Sequence, residues 1–310
     1  MTGSKFGKVG VLAGGPSNER QISLKSGEAV YNALIKNGID AIFLDVYEDV
    51  CDIIKKSRID AAFIALHGRF GEDGTIQKIL EDRGIPYTGS GPEASKLALD
   101  KIASKNIFVN NRIPVPKYTV FEKENFSIDD AEAMGFPLVV KPQMEGSSIG
   151  LSVVRENKDL AGALDRAFRY GEKIILEEYI DGREFTVGIL DDEPLPVIEI
   201  VPKRRVYDYN AKYTAPDTKY LVPAPIGDKL SDHAKRLGKL AHTSLGCRSF
   251  SRADMMMDSS GNIFVLEVNT IPGMTERSLL PKAAEALGLN FGKLCVKLIE
   301  NALTAKGITK

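Results

Sequence analysis

Four side chains near the end of the chain, Arg252, Asp254, Glu267 and Asn269, have the types and spacing of a single chemical face. They lie in two β-forming runs, RADMMMD and IFVLEVN, on either side of Asp258-Ser259-Ser260-Gly261-Asn262. That cluster of turn formers predicts an antiparallel hairpin. With Asp258 opposite Ile263, Asp254 stands opposite Glu267 and Arg252 opposite Asn269, and the two-residue period of a strand sends all four to one side. Opposed carboxylates with Cβ atoms roughly 5 Å apart repel unless a cation lies between them. Oxygen ligands without Cys or His select a hard ion such as Mg2+, which commonly binds through one or two carboxylates plus substrate phosphates. A plainer alternative pairs Glu267 with Arg252 on a solvated face and leaves Asp254 to water. Three acid and amide ligands followed at once by Pro272-Gly273 favour the metal.

A phosphate site is legible elsewhere. Val139-Val140-Lys141-Pro142 runs as an apolar strand into Gln143-Met144-Glu145-Gly146-Ser147-Ser148-Ile149-Gly150. Small residues let backbone N–H groups approach an anion, and Lys141 adds a positive charge at the base of the loop. A plain hairpin with a flexible tip is the alternative; the Lys-Pro pair and a second apolar strand count against it. Gly89-Ser90-Gly91-Pro92-Glu93-Ala94 matches G-x-G-x-x-A formally, but it follows a fourth strand, and Pro92 reads more simply as a helix start. No GxxxxGK[ST] run occurs, which excludes a P-loop.

These residues must be carried by a frame. Strands are expected at Lys8–Ala13, Ala41–Val46, Ala61–Leu66 and Ile85–Thr88, with helices at Glu19–Asn37, Ile53–Lys56 and Ile76–Arg83. Residues 1–98 therefore read as a doubly wound parallel sheet whose strand ends carry GGPSNE, HGRFGEDG and TGSGPE. A helix continues over Leu97–Asn110. Residues 99–182 read as a small α+β domain, and 183–310 as a third unit with strands Glu184–Leu190 and Leu195–Ile200, helix Ser231–Leu245, the hairpin, and closing helices at Ala283–Leu287 and Phe291–Leu303. Between them, the polar stretch from Lys203 to Pro225 is long enough to predict a lid.

Composition sets outer limits. The 310 residues carry 41 basic and 42 acidic side chains, so no global field recruits nucleic acid or an anionic membrane. Cys51, Cys247 and Cys295 form no CxxC pair, which argues against zinc and disulfides and for a reducing, cytoplasmic setting. No run of 18 apolar residues occurs, so no membrane span is expected.

Seven motifs in order give the chain a resemblance to the D-alanine:D-alanine ligases of the ATP-grasp superfamily. They are GGPSNERQISLKSG at Gly14–Gly27, LHGRFGEDGTIQ at Leu66–Gln77, TGSGPEASKLALDK at Thr88–Lys101, KPQMEGSSIG at Lys141–Gly150, LEEYIDGREFTV at Leu176–Val187, YDYNAKYT at Tyr207–Thr214 and LEVNTIPGMTERSLLPKAA at Leu266–Ala284. Departures are small: Ser251 and Ala253 stand where the family more often has glycine and a branched aliphatic residue, and Asn210 replaces a frequent glutamate. The implied fold is an N-terminal α/β domain followed by a two-domain ATP-grasp unit.

The resemblance implies that ATP phosphorylates the carboxylate of one D-alanine and that the amine of a second D-alanine attacks the acyl phosphate. Asp254, Glu267 and Asn269 would hold two Mg2+ ions, for which Mn2+ could substitute, and a monovalent cation could accompany them. Lys101 and Lys141 would meet ATP phosphates, Glu177 and the Ile180 backbone the adenine edge, and Glu184 the ribose hydroxyls. Lys212 and the Gly146-Ser147-Ser148 loop would neutralise the transferring phosphoryl oxygens. Arg252 and the Gly273 N–H would serve the tetrahedral oxyanion, Glu19 the first ammonium, and Ser278 with the Leu279 N–H the second carboxylate. Tyr213 would lie on the lid, tied to Ser147 and Glu19, and favour an amine nucleophile. His67 would orient the first substrate or serve the loop structurally; His233 and His242 read as ordinary surface or packing residues, and Glu178 and Arg183 carry no role. A homodimer is expected. Two other classes stay open, a different ATP-grasp carboxylate–amine ligase and a noncatalytic nucleotide-binding protein.

Overall fold

The computed structural model describes residues 6–47, 49–202 and 218–305. It opens with β1 (Val9–Gly14), α1 (Arg20–Lys36), β2 (Ala41–Val46), α2 (Val50–Ser57), β3 (Ala61–Ile64) and α3 (Thr75–Asp82). The three strands pair in parallel in the order β2-β1-β3. Val9, Val11 and Phe63 point to the face covered by α1, while Leu12 and Ile64 point to the face covered by α2 and α3. This is the expected double winding. The expected strand at Ile85–Thr88 is only an isolated bridge, Ala62 to Tyr87. Pro86 has no N–H to continue a ladder, and Gly89 at φ 93° turns the chain away two residues later.

Helices α4 (Pro92–Leu99) and α5 (Lys101–Asn110) replace the single helix expected over Leu97–Asn110. Asp100 interrupts it in an extended conformation, and its Oδ1 accepts from the N–H groups of Ile102 and Ala103 at 3.0 Å each. An aspartate that caps a new helix outweighs continuation of the old one. The break makes Lys101 the first residue of α5.

A second sheet contains β4 (Tyr118–Glu122), β5 (Leu138–Pro142), β6 (Ser152–Val154) and β7 (Lys173–Glu178), in the antiparallel order β4-β7-β5-β6. Helices α6 (Ile128–Met134) and α7 (Leu160–Phe168) cover one face through Leu138, Val140, Ile174 and Leu176. Strand alternation sends Lys141 and Glu177 to the other face, towards α5.

The third sheet contains β8 (Gly182–Leu190), β9 (Glu193–Pro194), β10 (Ile198–Val201), β11 (Lys219–Leu221), β12 (Phe250–Asp258) and β13 (Ile263–Asn269), in the order β11-β10-β8-β12-β13 with β9 on β8. The single strand expected over Leu195–Ile200 starts only at Ile198, because Pro194 and Pro196 cannot donate to a ladder. Helix α8 (Gly227–Ser244) covers one face through Ala234, Leu237 and Ala241 against Val187, Ala253, Met255 and Val265. Helices α9 (Leu279–Glu285) and α10 (Phe291–Ala305) return to the first sheet, where Ala283, Leu294 and Leu298 share a core with Val9, Val11 and Phe63. Of the expected lid, residues 203–217 lie outside the described residues, and its end forms β11 on the edge of this sheet.

The Asp100 break has a measurable consequence. Replacing Asp100 with Ala should remove the cap and the 2.8 Å hydrogen bond that Gln143 Nε2 donates to it. Loss of about 1–2 kcal/mol of stability is expected, read as a lower midpoint in denaturant with an unchanged slope. Asp100→Asn should retain most of that stability.

Candidate active site

The hairpin register holds where it matters and shifts where it does not. Arg252 pairs with Asn269 and Asp254 with Glu267, as expected. Beyond Asp254 the register slips by one, so Ile263 faces Met257 and not Asp258. A bulge causes the slip. Strict alternation would have put Ile263 and Val265 on the same face as Glu267 and Asn269. The extra residue lets Ile263 and Val265 enter the core under α8 while Glu267 and Asn269 turn to the opposite face with Arg252 and Asp254.

On that face Asp254 is buried, and each of its oxygens accepts two hydrogen bonds. Arg252 donates from Nε to Oδ1 at 2.7 Å and from Nη2 to Oδ2 at 2.6 Å; Thr186 Oγ1 donates to Oδ1 at 2.7 Å and Asn269 Nδ2 to Oδ2 at 3.0 Å. Glu267 Oε2 lies 3.6 Å from Lys101 Nζ. Two cationic side chains of the chain itself therefore balance the opposed carboxylates, and Arg252 is joined to Asp254, not to Glu267 as the plainer alternative had it. Among the described residues no group of three or more His, Cys, Asp or Glu could hold a metal. The donors here are two carboxylates and an amide, all oxygen, which suits Mg2+ completed by phosphate oxygens.

Across the cavity, Glu19 caps the start of α1 through its backbone, but its side chain makes no cap bond. Its carboxylate instead accepts a short hydrogen bond from Ser147 Oγ, 128 positions away in sequence. Ser147 and Ser148 both adopt positive φ, 49° and 60°, so the small-residue loop after Lys141 is a tight left-handed turn. Glycines flank the Glu19 carboxylate: a Cβ on Gly68 or Gly146 would come within 2.7 or 2.8 Å of Oε2, so the carboxylate would have to shift. His67 is buried beside them, with Nε2 3.1 Å from Ser26 Oγ and Nδ1 3.5 Å from Glu72 Oε1. Burial works against its charge, but Glu72 and Glu19 carry its pKa above the ordinary value; burial also raises that of Glu72. Ser278 begins α9, and its Oγ accepts from the Thr275 N–H at 3.0 Å. A Cβ on Gly273 would approach that Oγ to 3.2 Å.

A single cavity of about 1490 Å³ is lined by Glu19, His67, Gly146 and Ser147 on one side and by Glu184, Arg252, Asp254, Glu267 and Asn269 on the other. Gly273, Ser278 and Leu279 line it as well. Lys101, Lys141, Glu177 and Ile180 are buried outside its wall, and Ser148 is not part of it. Lys101 Nζ donates to the Glu145 carbonyl at 2.5 Å, and Lys141 Nζ sits 2.8 Å from Glu177 Oε2. Lys212 and Tyr213 lie outside the described residues.

Sequence reasoning missed Lys105, Glu72 and Thr186. Lys105 was detectable as a second lysine one helical turn after Lys101, and Thr186 as the polar residue opposite Asp254 on β8. His242, read as a surface or packing residue, takes the second role: it is fully buried on α8, with Nδ1 2.7 Å from Ser251 Oγ and Nε2 3.0 Å from Asp192 Oδ1. Burial holds its pKa below the ordinary value. Arg183, given no role, forms a bidentate pair with Glu199 at 2.7 Å.

Comparison with known proteins identifies the family. Residues 107–300 match the family model described as D-ala D-ala ligase C-terminus, and residues 49–90 the one described as D-ala D-ala ligase N-terminus. A D-alanine–D-alanine ligase of Pelotomaculum thermopropionicum is 49% identical over 98% of this chain and 99% of its own length. That of Geotalea uraniireducens is 45% identical over 96% of each chain. The crystal structure of D-alanine–D-alanine ligase from Bacillus anthracis complexed with ATP superposes with a TM-score of 0.84 at 35% identity, covering 97% of this chain and 98% of that one. The VanG D-Ala:D-Ser ligase from Enterococcus faecalis gives 0.81 at 31% identity, covering 95% and 99%. On sequence, fold and extent of match, the chain belongs to the D-alanine–D-alanine ligase family of ATP-grasp enzymes.

Proposed function

We propose that the protein is an ATP-dependent ligase that joins two D-alanines into D-alanyl-D-alanine for peptidoglycan precursor synthesis. The observation that carries this reading is the single cavity whose wall includes both a carboxylate suited to an amine, Glu19, and the Arg252, Asp254, Glu267 and Asn269 set. Amino-acid and phosphate chemistry must meet within one enclosed volume if an acyl phosphate is to be used before water reaches it.

In this reading Glu19 holds the first ammonium, with Ser147 fixing its carboxylate, and His67 orients that substrate's side of the cavity. Ser278 and the Leu279 N–H receive the second carboxylate at the start of α9. Arg252 and the Gly273 N–H serve the oxyanion formed when the second amine attacks. Lys101, Lys141, Lys212, Gly146 and Ser148 serve the phosphates, Glu177 and Ile180 the adenine edge, and Glu184 the ribose. Asp254, Glu267 and Asn269 would hold two Mg2+ ions, or Mn2+ in their place, which neutralise phosphate charge when bound. Tyr213 on the lid selects an amine over a hydroxyl. A monovalent cation as activator and a cytoplasmic homodimer complete the proposal. Residues 1–98, 99–182 and 183–310 are its substrate, nucleotide and metal units. The free cysteines suit a reducing setting, and no helix among the described residues is long and apolar enough to cross a membrane.

ADP release tested with D-alanine, D-serine, D-lactate and L-alanine decides the substrate class. D-alanine alone should support full turnover, and a higher kcat/KM with another pair would assign the chain elsewhere in the superfamily. Glu267→Gln should lower Mg2+-dependent turnover about a hundredfold or more, while stability changes by less than about 1 kcal/mol. Near wild-type turnover in that variant would remove Glu267 from the metal set. Gly146→Ala, which pushes a methyl against the Glu19 carboxylate, should raise the KM for the first D-alanine roughly tenfold or more and leave the KM for ATP nearly unchanged.

A further inference from the structure

Behind the nucleotide end of the site lies a row of three charges. Glu177, on the face of β7 turned towards α5, has Lys141 Nζ 2.8 Å from Oε2 and Lys105 Nζ 2.9 Å from Oε1. Lys105 is fully buried, and the ring of Tyr118 lies 5.7 Å from its ammonium. At 2.9 Å the Lys105 ammonium and Oε1 form a close ion pair, and neither atom has another hydrogen-bond partner. Burial lowers the Lys105 pKa to about 8, with Glu177 resisting the fall and Lys141 adding to it. Burial opposes ionisation of Glu177, but the two ammonium groups carry its pKa below the ordinary value.

A buried ion pair is seldom retained for stability, since apolar residues of similar volume usually serve as well. Its charge balance is the informative feature. Lys141 and Glu177 alone would sum to zero, so Lys141 would add no net charge for phosphate to what Lys101 and the small-residue loop supply. Lys105 restores one net positive charge without entering the site itself.

We propose that Lys105 is a positioning residue for the nucleotide: by neutralising Glu177 from the α5 side, it leaves the charge of Lys141 available to the phosphates of ATP. This rests on the reading that Lys141 meets phosphate and Glu177 the adenine edge. Lys105 touches neither; it acts through Glu177.

The test is binding, measured in the absence of D-alanine, of ATP directly and of adenosine by competition. Lys105→Met should weaken ATP about tenfold, as expected for one partly screened charge, and change adenosine by less than about twofold. Adding Glu177→Gln to it removes both members of the pair and leaves Lys141 as the single charge; because Glu177 itself meets adenine, the readout is the ratio of ATP to adenosine affinity, which should return to near wild type. That double variant buries no unpaired charge, so it remains informative if Lys105→Met folds poorly. Equal weakening of ATP and adenosine, or a double variant whose ratio of ATP to adenosine affinity is no higher than that of Lys105→Met, would overturn the proposal by making Lys105 a packing residue. Lys141→Ala separates the two readings. If it leaves ATP affinity unchanged, the phosphate assignment of Lys141 fails and the proposal falls with it; if it weakens ATP while Lys105→Met does not, only the role of Lys105 is lost.

Discussion

A strand that forms one wall of a core and also carries ligands to the opposite face can change allegiance only by breaking its period. The bulge in β13 is that break. Ile263 and Val265 belong to the core under α8, whereas Glu267 and Asn269 belong to the cavity, and a two-residue repeat cannot supply both. The partner strand β12 needs no such device, because Ala253, Met255 and Met257 alternate without interruption against Arg252 and Asp254. The register is thus anchored by hydrophobic burial at the turn end and by the Arg252–Asp254–Asn269 hydrogen bonds at the site end. Sheet packing and metal-face chemistry meet in one inserted residue.

The rest of the cavity is assembled from segments far apart in the chain, and buried charge explains why they must meet. Glu19 has almost no exposure and its side chain makes no cap bond, so its carboxylate requires the Ser147 hydroxyl from a loop 128 positions away in sequence. The loop delivers that hydroxyl only by holding Ser147 and Ser148 at positive φ. Gly68 and Gly146 keep side chains out of the space that the carboxylate occupies. Asp100 plays the corresponding part for Lys101: by ending α4 and capping α5, it sets the ammonium between the Glu145 carbonyl and Glu267.

Local chemistry made much of this legible before any fold was considered. The opposed Asp254 and Glu267, the small-residue loop after Lys141, and the double winding of the first sheet follow from period and turn composition, which act over a few residues. What local patterns did not reveal depends on tertiary demand. The bulge answers to a core that strand alternation alone does not describe. The split at Asp100 reflects a cap competing with helix continuation. Lys105 repeats Lys101 one helical turn later, but that spacing alone does not say that both lysines are buried. The sequence left His242 as either a surface or a packing residue for the same reason, since a histidine on an amphipathic helix shows its partners only when the helix is docked.

Those partners also give Ser251 a reason to stand where the family more often has glycine. Its hydroxyl meets His242, and His242 meets Asp192, so the three have the order of a nucleophilic triad. Burial rules out that chemistry: Ser251 and His242 have no exposed surface, and an acyl acceptor could not reach the hydroxyl. The geometry is that of a tie. Asp191 and Asp192 form the two-residue turn between β8 and β9, both at positive φ as such a turn requires. Asp191 pairs with Lys297 and Asn301 of α10, while Asp192 reaches α8 and, through His242, β12. One turn therefore fastens the helix that covers the first sheet and the strand that carries Arg252 to a common point. Arg252 is the residue after Ser251, so the side chain that pairs with Asp254 is steadied from the opposite face of its own strand.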